Sequence, residues 1–310
     1  MSEELEGHDL VFVAGLHRSG TSLLANVLAD HADVTRLSGT GVSQDEGQHL
    51  QTVYPPASAL GGPGRFASHP DAHLTERSEL VSEANRRKLL EAWLPYWDSG
   101  RRVLVEKSPP NLVRTRFLQA LFPWARFLVI MRHPLAVVAG EKKRVGASSS
   151  LASLLRHWLT AHECFLADAP SLSHLRVVRY ADLVERPADV VEELARWLPL
   201  GSRSNRFEIR AGLDERYLDH WRRRRYRQVG LLLRSGSLER RLRVFGYSLR
   251  LGSPPSPPSP LLRAMLIGAG HESLDAGYPG GESASPISYP GGRPADGVAA
   301  GSPAARPPKP

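Results

Sequence analysis

Near the start of the chain, Gly15-Leu16-His17-Arg18-Ser19-Gly20-Thr21-Ser22-Leu23-Leu24 follows a short apolar run and opens a helical pattern. Two glycines flanking a polar turn let successive backbone N–H groups converge, and the start of a helix adds partial positive charge. Strand, loop and helix together therefore make an anion cradle. The Gly-x-x-x-x-Gly spacing is that of a nucleotide phosphate loop, but Thr21 stands where that motif demands a lysine. The later apolar runs end in Glu106-Lys107 and Met131-Arg132, which offers no convincing acidic strand end for magnesium. An ordinary ATPase or kinase is disfavoured, and a kinase-like phosphotransferase or a non-catalytic nucleotide-binding scaffold stand as alternatives. A merely structural βα turn would leave an arginine and several polar groups without a partner.

Further charged residues recur where apolar runs stop. Lys107 closes Val103-Leu104-Val105-Glu106, Arg132 closes Phe127-Leu128-Val129-Ile130-Met131, and Arg179-Tyr180 closes Leu175-Arg176-Val177-Val178. A lysine at a strand's carboxyl end beside a phosphate loop can steady negative charge growing on a leaving oxygen. Guanidinium groups suit bidentate phosphate binding.

These residues resemble the sulfotransferases that use 3′-phosphoadenosine 5′-phosphosulfate (PAPS). The family's first βα loop reads Arg/Lys-x-Gly-Thr-Ser/Thr, and here it stands as Arg18-Ser19-Gly20-Thr21-Ser22. The match is closer to the tyrosylprotein-sulfotransferase-like and bacterial branches. Further landmarks follow in the family's order, so the resemblance spans about residues 10–200. It implies that His17, Arg18, Ser19, Gly20, Thr21 and Ser22 surround the 5′-phosphosulfate, with Arg18 catalytic as well, and that Lys107 is the catalytic lysine. It also implies that Arg132 binds the 3′-phosphate and that Tyr180 lies by the adenine. The family's serine for the 3′-phosphate falls on Gly140, which leaves that group one hydroxyl short. Arg144, twelve residues after Arg132, falls where the tyrosylprotein branch has another 3′-phosphate arginine, and Lys142 or Lys143 adds charge. PAPS is thus the expected donor, with no metal.

A hydroxyl acceptor must lose its proton, so a carboxylate or imidazole is needed within reach. Residues 36–75 have little periodicity and read as a long functional insert that forms the acceptor pocket. Asp45, Glu46 and His49 lie in it, and His17 lies in the phosphate loop. The offset at which the tyrosylprotein branch carries its glutamate base falls on Gly39 here.

The elements that must position these groups alternate. Short apolar runs at 10–14, 103–105, 127–130 and 175–178 read as strands covered on both faces. Helical patterns lie at 20–30, 74–97, 111–121, 134–144, 151–167 and 188–198. The order predicts an α/β fold, a P-loop-NTPase-like parallel sheet with helices on both faces and the ligand beyond the carboxyl ends of the strands. Asp182 reads as a helix cap.

Of the 310 residues, 41% are hydrophobic, enough for one large domain. That domain is placed at residues 1–251. From Gly252 on, 13 of the 25 prolines and 10 of the 27 glycines appear, so 252–310 reads as a disordered Pro/Gly/Ser-rich tail. Within it, only Leu261 to Gly268 has a helical or docking pattern. The net charge of +8 sits in residues 216–250, where eleven arginines oppose Asp219 and Glu239. The run Trp221-Arg222-Arg223-Arg224-Arg225-Tyr226-Arg227 is assigned to donor or acceptor electrostatics, with Tyr217, Leu218 and Trp221 on one helix face, rather than to nucleic acid. The acidic start and the lack of a long apolar run predict neither a leader nor a membrane span, hence a cytoplasmic protein. The single Cys164 fits a reducing compartment and excludes an internal disulfide.

Overall fold

The computed structural model describes residues 5, 7–146, 149–198, 200, 216–218, 236–250 and 257–267. Five parallel strands form one sheet in the order β2-β3-β1-β4-β5. They are β1 (Asp9–Gly15), β2 (Val34–Arg36), β3 (Val103–Lys107), β4 (Arg126–Met131) and β5 (Leu175–Arg179). The β1 run is apolar at every position from Leu10 to Ala14 because both its faces are covered. Phe12 packs against Phe122, Phe127 and Trp93 on one face. Val11 and Val13 pack with Leu24, Leu28 and Leu194 on the other.

Helices cover both faces, as the alternation predicts. On the Val11 side lie α1 (Thr21–Ala29), α6 (Tyr180–Glu185) and α7 (Pro187–Trp197). On the Phe12 side lie α2 (Glu83–Trp93), α3 (Thr115–Leu121), α4 (Pro134–Val145) and α5 (Leu151–Asp168), joined by α8 (Gly236–Val244) and α9 (Pro260–Met265). Pro134 starts α4, where its missing N–H costs nothing, and the His133 ring accepts from Leu135 N at 3.2 Å.

Three boundaries differ from the sequence reading. β2 is a fifth, edge strand of only three residues, too short to carry a periodic signal. The pattern over 74–97 becomes helix only from Glu83, capped by Ser82 Oγ accepting from Asn85 N at 3.2 Å, and tightens into a 3-10 turn at Leu94-Pro95-Tyr96. Finally, the stretch 257–267 is folded onto the domain. Leu262 is wholly buried, and Ile267 N donates to Val177 O on β5 at 2.9 Å. Contacts cluster residues 1–271 into one unit, so the folded chain runs past Leu251. The rest of the tail, 252–256 and 268–310, lies outside the described residues.

The register brings the carboxyl ends level. Val13 pairs with Lys107, Gly15 with Ile130, and Met131 with Arg179. Chain connections leave β1 and β4 toward opposite edges, so a crevice is expected at that end.

Candidate active site

The phosphate loop is held by its own side chain. Leu16 O accepts from both Ser19 N (3.0 Å) and Ser19 Oγ (2.6 Å), so Ser19 closes the turn from inside and is fully buried. The open donors of the loop are then the first-turn amides of α1, at Thr21 and Ser22. Both glycines are sterically required. A Cβ on Gly15 would lie 2.7 Å from Ile130 O, and one on Gly20 (φ 106°) would lie 2.7 Å from the Tyr180 ring.

Tyr180 in turn supports Arg132, whose guanidinium lies 3.9 Å from the ring centroid. Arg132 Nη1 also donates to Arg18 O at 2.7 Å, tying the end of β4 to the loop. Tyr217, in the helical residues 216–218, sits 5.6 Å from the Arg132 guanidinium and 4.9 Å from Lys143 Nζ. Lys142 is engaged elsewhere, donating to Ser149 O at 2.6 Å. Trp221 to Arg227 lies outside the described residues.

At the other end of the loop, β3 meets the insert residue by residue. Lys107 Nζ donates to Glu46 Oε1 at 3.1 Å and to Gln44 O at 2.9 Å. Glu106 Oε1 accepts from Gly47 N at 3.0 Å, and Ser108 Oγ accepts from Gln48 N at 3.0 Å. Glu106 also accepts from Ser108 Oγ (2.6 Å) and Asn111 Nδ2 (2.5 Å). The insert therefore owes its course here to side chains rather than to regular structure. Burial pushes the Glu106 carboxyl up to about 6, against the pull of these hydrogen bonds and of Lys107.

A cleft of ≈ 770 Å³ opens between the phosphate loop and the insert. Of the residues singled out by sequence, it is lined by His17, Arg18, Gly20, Thr21, Ser22, Glu46, His49, Arg132, Arg144 and Tyr180. Ser19 lies beneath the loop, and Gly140 lies beneath the side chain of Arg18. Lys107 is only 6% exposed and borders a smaller recess of ≈ 210 Å³ with Asp45 and Arg36.

The base candidates separate. Asp45 Oδ1 accepts from Thr40 Oγ1 (2.7 Å) and Thr40 N (3.1 Å), and Oδ2 lies 3.4 Å from Arg36 Nη1. The Thr40 hydroxyl above all holds its carboxyl below the usual range. Asp45 thus closes a turn and does not line the main cleft. Glu46 lines it, with Oε2 accepting from Gln48 Nε2 at 2.5 Å and 3.7 Å from His49 Nε2. His17 packs edge-on to Phe66 at 5.7 Å, and burial, aided by Arg144, holds its imidazole down to about 3.

Sequence reasoning missed Glu106, Ser108, Asn111 and Gln48. The available signal was a carboxylate inside an otherwise apolar strand, which only a buried partner set explains. It also missed the approach of His73, Cys164 and Asp168, whose ligating atoms lie within 4.8 Å of one another. There His73 Nε2 and Asp168 Oδ2 are hydrogen-bonded at 2.9 Å, and Arg116 pairs with Asp168 at 3.4 Å.

Residues 10–202 match the Sulfotransferase family. The chain belongs to that family. It is similar to the nodulation protein NoeE of Sinorhizobium fredii (strain NBRC 101917 / NGR234), 27% identical over 219 residues, which cover 63% of this chain and 51% of that protein. The chain thus spans about half the length of that relative. Similar solved structures include the sulfotransferase domain from the curacin biosynthetic pathway (TM-score 0.46, 16% identity, 78% of this chain and 98% of that one). Another is the sulfotransferase domain from the Synechococcus PCC 7002 olefin synthase (TM-score 0.42, 19% identity, 70% and 87%). Among the described residues, no helix of this chain is long and apolar enough to cross a membrane.

Proposed function

We propose that the protein transfers the sulfuryl group of PAPS to a hydroxyl acceptor, a carbohydrate, lipid, peptide tyrosine or small alcohol. The observation that carries the reading is the Lys107–Glu46 pair, at 3.1 Å, beside a phosphate-loop cleft that also holds Arg132 and Arg144. The residues fit such a donor. The first-turn amides of α1 suit the 5′ side, and the guanidinium groups of Arg132 and Arg144, which line the same cleft, suit a further phosphate. The acceptor enters from the insert side, past Gln48 and His49.

When bound, the donor supplies an activated sulfuryl group on a good leaving oxygen. Glu46 takes the proton of the acceptor hydroxyl as the new S–O bond forms. Lys107 donates a hydrogen bond to the bridging oxygen, where charge collects as the old S–O bond breaks, so adenosine 3′,5′-bisphosphate leaves as the anion. Holding these two groups in place performs most of the work, as in phosphoryl transfer. Tyr180 supports the adenine side and carries Arg132. A hydroxyl-bearing acceptor rather than nucleic acid is the expected partner, and the cytoplasm the expected location.

The test is calorimetry with adenosine 3′,5′-bisphosphate and with ATP. Binding of the bisphosphate that survives EDTA and exceeds that of ATP is expected. Tighter binding of magnesium ATP would support a phosphotransferase instead. Labelled sulfuryl transfer from PAPS to a cell extract would then identify the acceptor.

A further inference from the structure

Cys164 and Asp168 lie four residues apart in the last turns of α5, on one face of the helix. His73, which ends the 3-10 turn Pro70–Ala72 near the close of the insert, meets that face from another part of the chain. One ligating atom from each of the three lies within 4.8 Å of the other two. His73 Nε2 and Asp168 Oδ2 are already in contact at 2.9 Å. None of the three lines the cleft over the phosphate loop.

Sulfur, imidazole nitrogen and carboxylate oxygen together are the donor set of a zinc-like cation, whereas magnesium and calcium take oxygen ligands. Bonds of about 2.0–2.3 Å to a tetrahedral ion set its ligands about 3.3–3.8 Å apart. The His73–Asp168 pair must widen a little and the sulfur close in by about an ångström at most, which side-chain rotation of the exposed His73 allows. Asp168 is buried, and its other oxygen, Oδ1, lies 3.4 Å from Arg116 Nη1 on α3. An outer partner of that kind orients a ligating carboxylate. The Arg116 charge is itself met by Glu76, which accepts from Nε at 2.8 Å and pairs with Nη2 as well. With a thiolate, two carboxylates, one guanidinium and a divalent ion, the local charge sums to zero. Burial holds the proton on the Cys164 thiol, so the cation must displace it to solvent on binding.

We infer that His73, Cys164 and Asp168 form a binding site for zinc or a similar divalent cation, which fastens the downstream end of the insert to α5. The fourth position faces solvent beside His73 and takes water. The neighbouring contacts already lead the insert to this helix: Phe66 packs edge-on to His157 of α5 at 4.8 Å, and Leu74 N donates to Val113 O at 3.3 Å. The inference does not depend on which nucleotide the cleft takes.

The experiment adds zinc, and cobalt as its spectroscopic substitute, to the full chain after reduction and removal of metal with a chelator. Cobalt is expected to bind one ion per chain with a sulfur-to-metal charge-transfer band and the intense visible bands of a tetrahedral site. Zinc is expected to displace it and to raise Tm, because the folded chain alone holds the site together. Cys164→Ser should abolish the charge-transfer band and weaken zinc about tenfold or more by calorimetry. His73→Ala should weaken zinc likewise and erase the rise in Tm. That side chain is exposed, so its replacement keeps the test available should the Cys164 variant melt early. The chain has 12 histidines, and adventitious binding elsewhere would leave the sulfur band missing and the zinc affinity unchanged in the variants. Either of those results, or a parent chain that binds no zinc, overturns the assignment.

Discussion

Lys107 Nζ and Glu46 Oε1 are in direct contact at 3.1 Å, with the two side chains only 6% and 8% exposed. They come from elements far apart in sequence, the end of β3 and the long insert. In-line sulfuryl transfer asks for a cation at the leaving oxygen and a base at the entering one, a few ångströms apart on either side of sulfur. A lysine and a carboxylate in direct contact are closer together than that task requires. Bound reactants would separate them, each passing to its own oxygen.

The two substitutions are expected to differ from changes at the nucleotide's far end. Lys107→Ala should lower kcat roughly a hundredfold or more while adenosine 3′,5′-bisphosphate affinity stays within a few-fold. Glu46→Gln should lower kcat comparably and remove the acidic limb of the pH–rate profile. Arg132→Ala should chiefly weaken nucleotide binding, because its proposed partner is a phosphate that does not react. A Lys107→Ala enzyme impaired only in binding would sink the assigned role.

Asp45 is expected to matter for folding rather than for proton transfer. Its carboxylate takes both the N–H and the hydroxyl of Thr40, so Asp45→Asn should cost about 1–2 kcal/mol of stability in urea unfolding. Its pH–rate profile should keep the parent's acidic limb. His49→Asn is the companion test, since that imidazole lies 3.7 Å from Glu46 Oε2. Loss of the limb in either variant, with Glu46→Gln retaining it, would transfer the base to that residue.

The sheet was legible because its strands are continuous apolar runs ended by glycine or a charged residue, a pattern that needs no tertiary information. The loop was legible because Gly15 and Gly20 bracket a polar turn. Two kinds of feature were hidden. β2 is three residues long and owes its strand form to pairing with β3, which no local pattern announces. The choice between Asp45 and Glu46, adjacent in sequence, depends on Thr40 and Arg36 capturing one and Lys107 the other. Likewise Gly140 read as a lost hydroxyl, and no sequence pattern announces that the Arg18 side chain packs over it. Glycine's absence of a side chain cannot say what fills the space.

Glu106 gives a pH signature of definite sign. Its carboxyl is raised by burial from 4.5 to about 6. The native state then holds the proton more tightly than the unfolded chain, so this contribution to stability is complete below pH 4.5 and is lost as pH rises through about 6. The shift corresponds to about 2 kcal/mol. Glu106→Gln fixes the neutral form, and the Asn111 amide can rotate to face it. The stability of the variant relative to the parent should therefore rise by about 2 kcal/mol between pH 4.5 and about 7, measured by urea unfolding. The buried imidazoles of His157 and His162, lowered by burial to about 3 and about 4, destabilise both proteins alike in acid and cancel from the difference. A difference that is flat with pH, or falls as pH rises, would show that Glu106 is ionised in the fold throughout.

Truncation distinguishes the part of the C-terminal segment that belongs to the domain from the rest. Composition placed the boundary at Leu251, yet Leu262, Met265 and Ile267 are 0%, 8% and 5% exposed, and Ile267 N bonds to Val177 O on β5. Burial of such side chains is worth about 1.5–3 kcal/mol each before the cost of ordering the segment is deducted. Removing residues 252–310 should therefore lower Tm by several degrees and expose the β5 side of the core. Residues beyond His271 are poor in aliphatic side chains and rich in proline and glycine, so they bring little apolar surface to bury. A chain ending at His271 should keep the parent's Tm and its nucleotide affinity. Equal melting of the two truncated forms would show that the packing of 257–267 contributes nothing. A lowered Tm already in the chain ending at His271 would place a stabilising contact beyond residue 271.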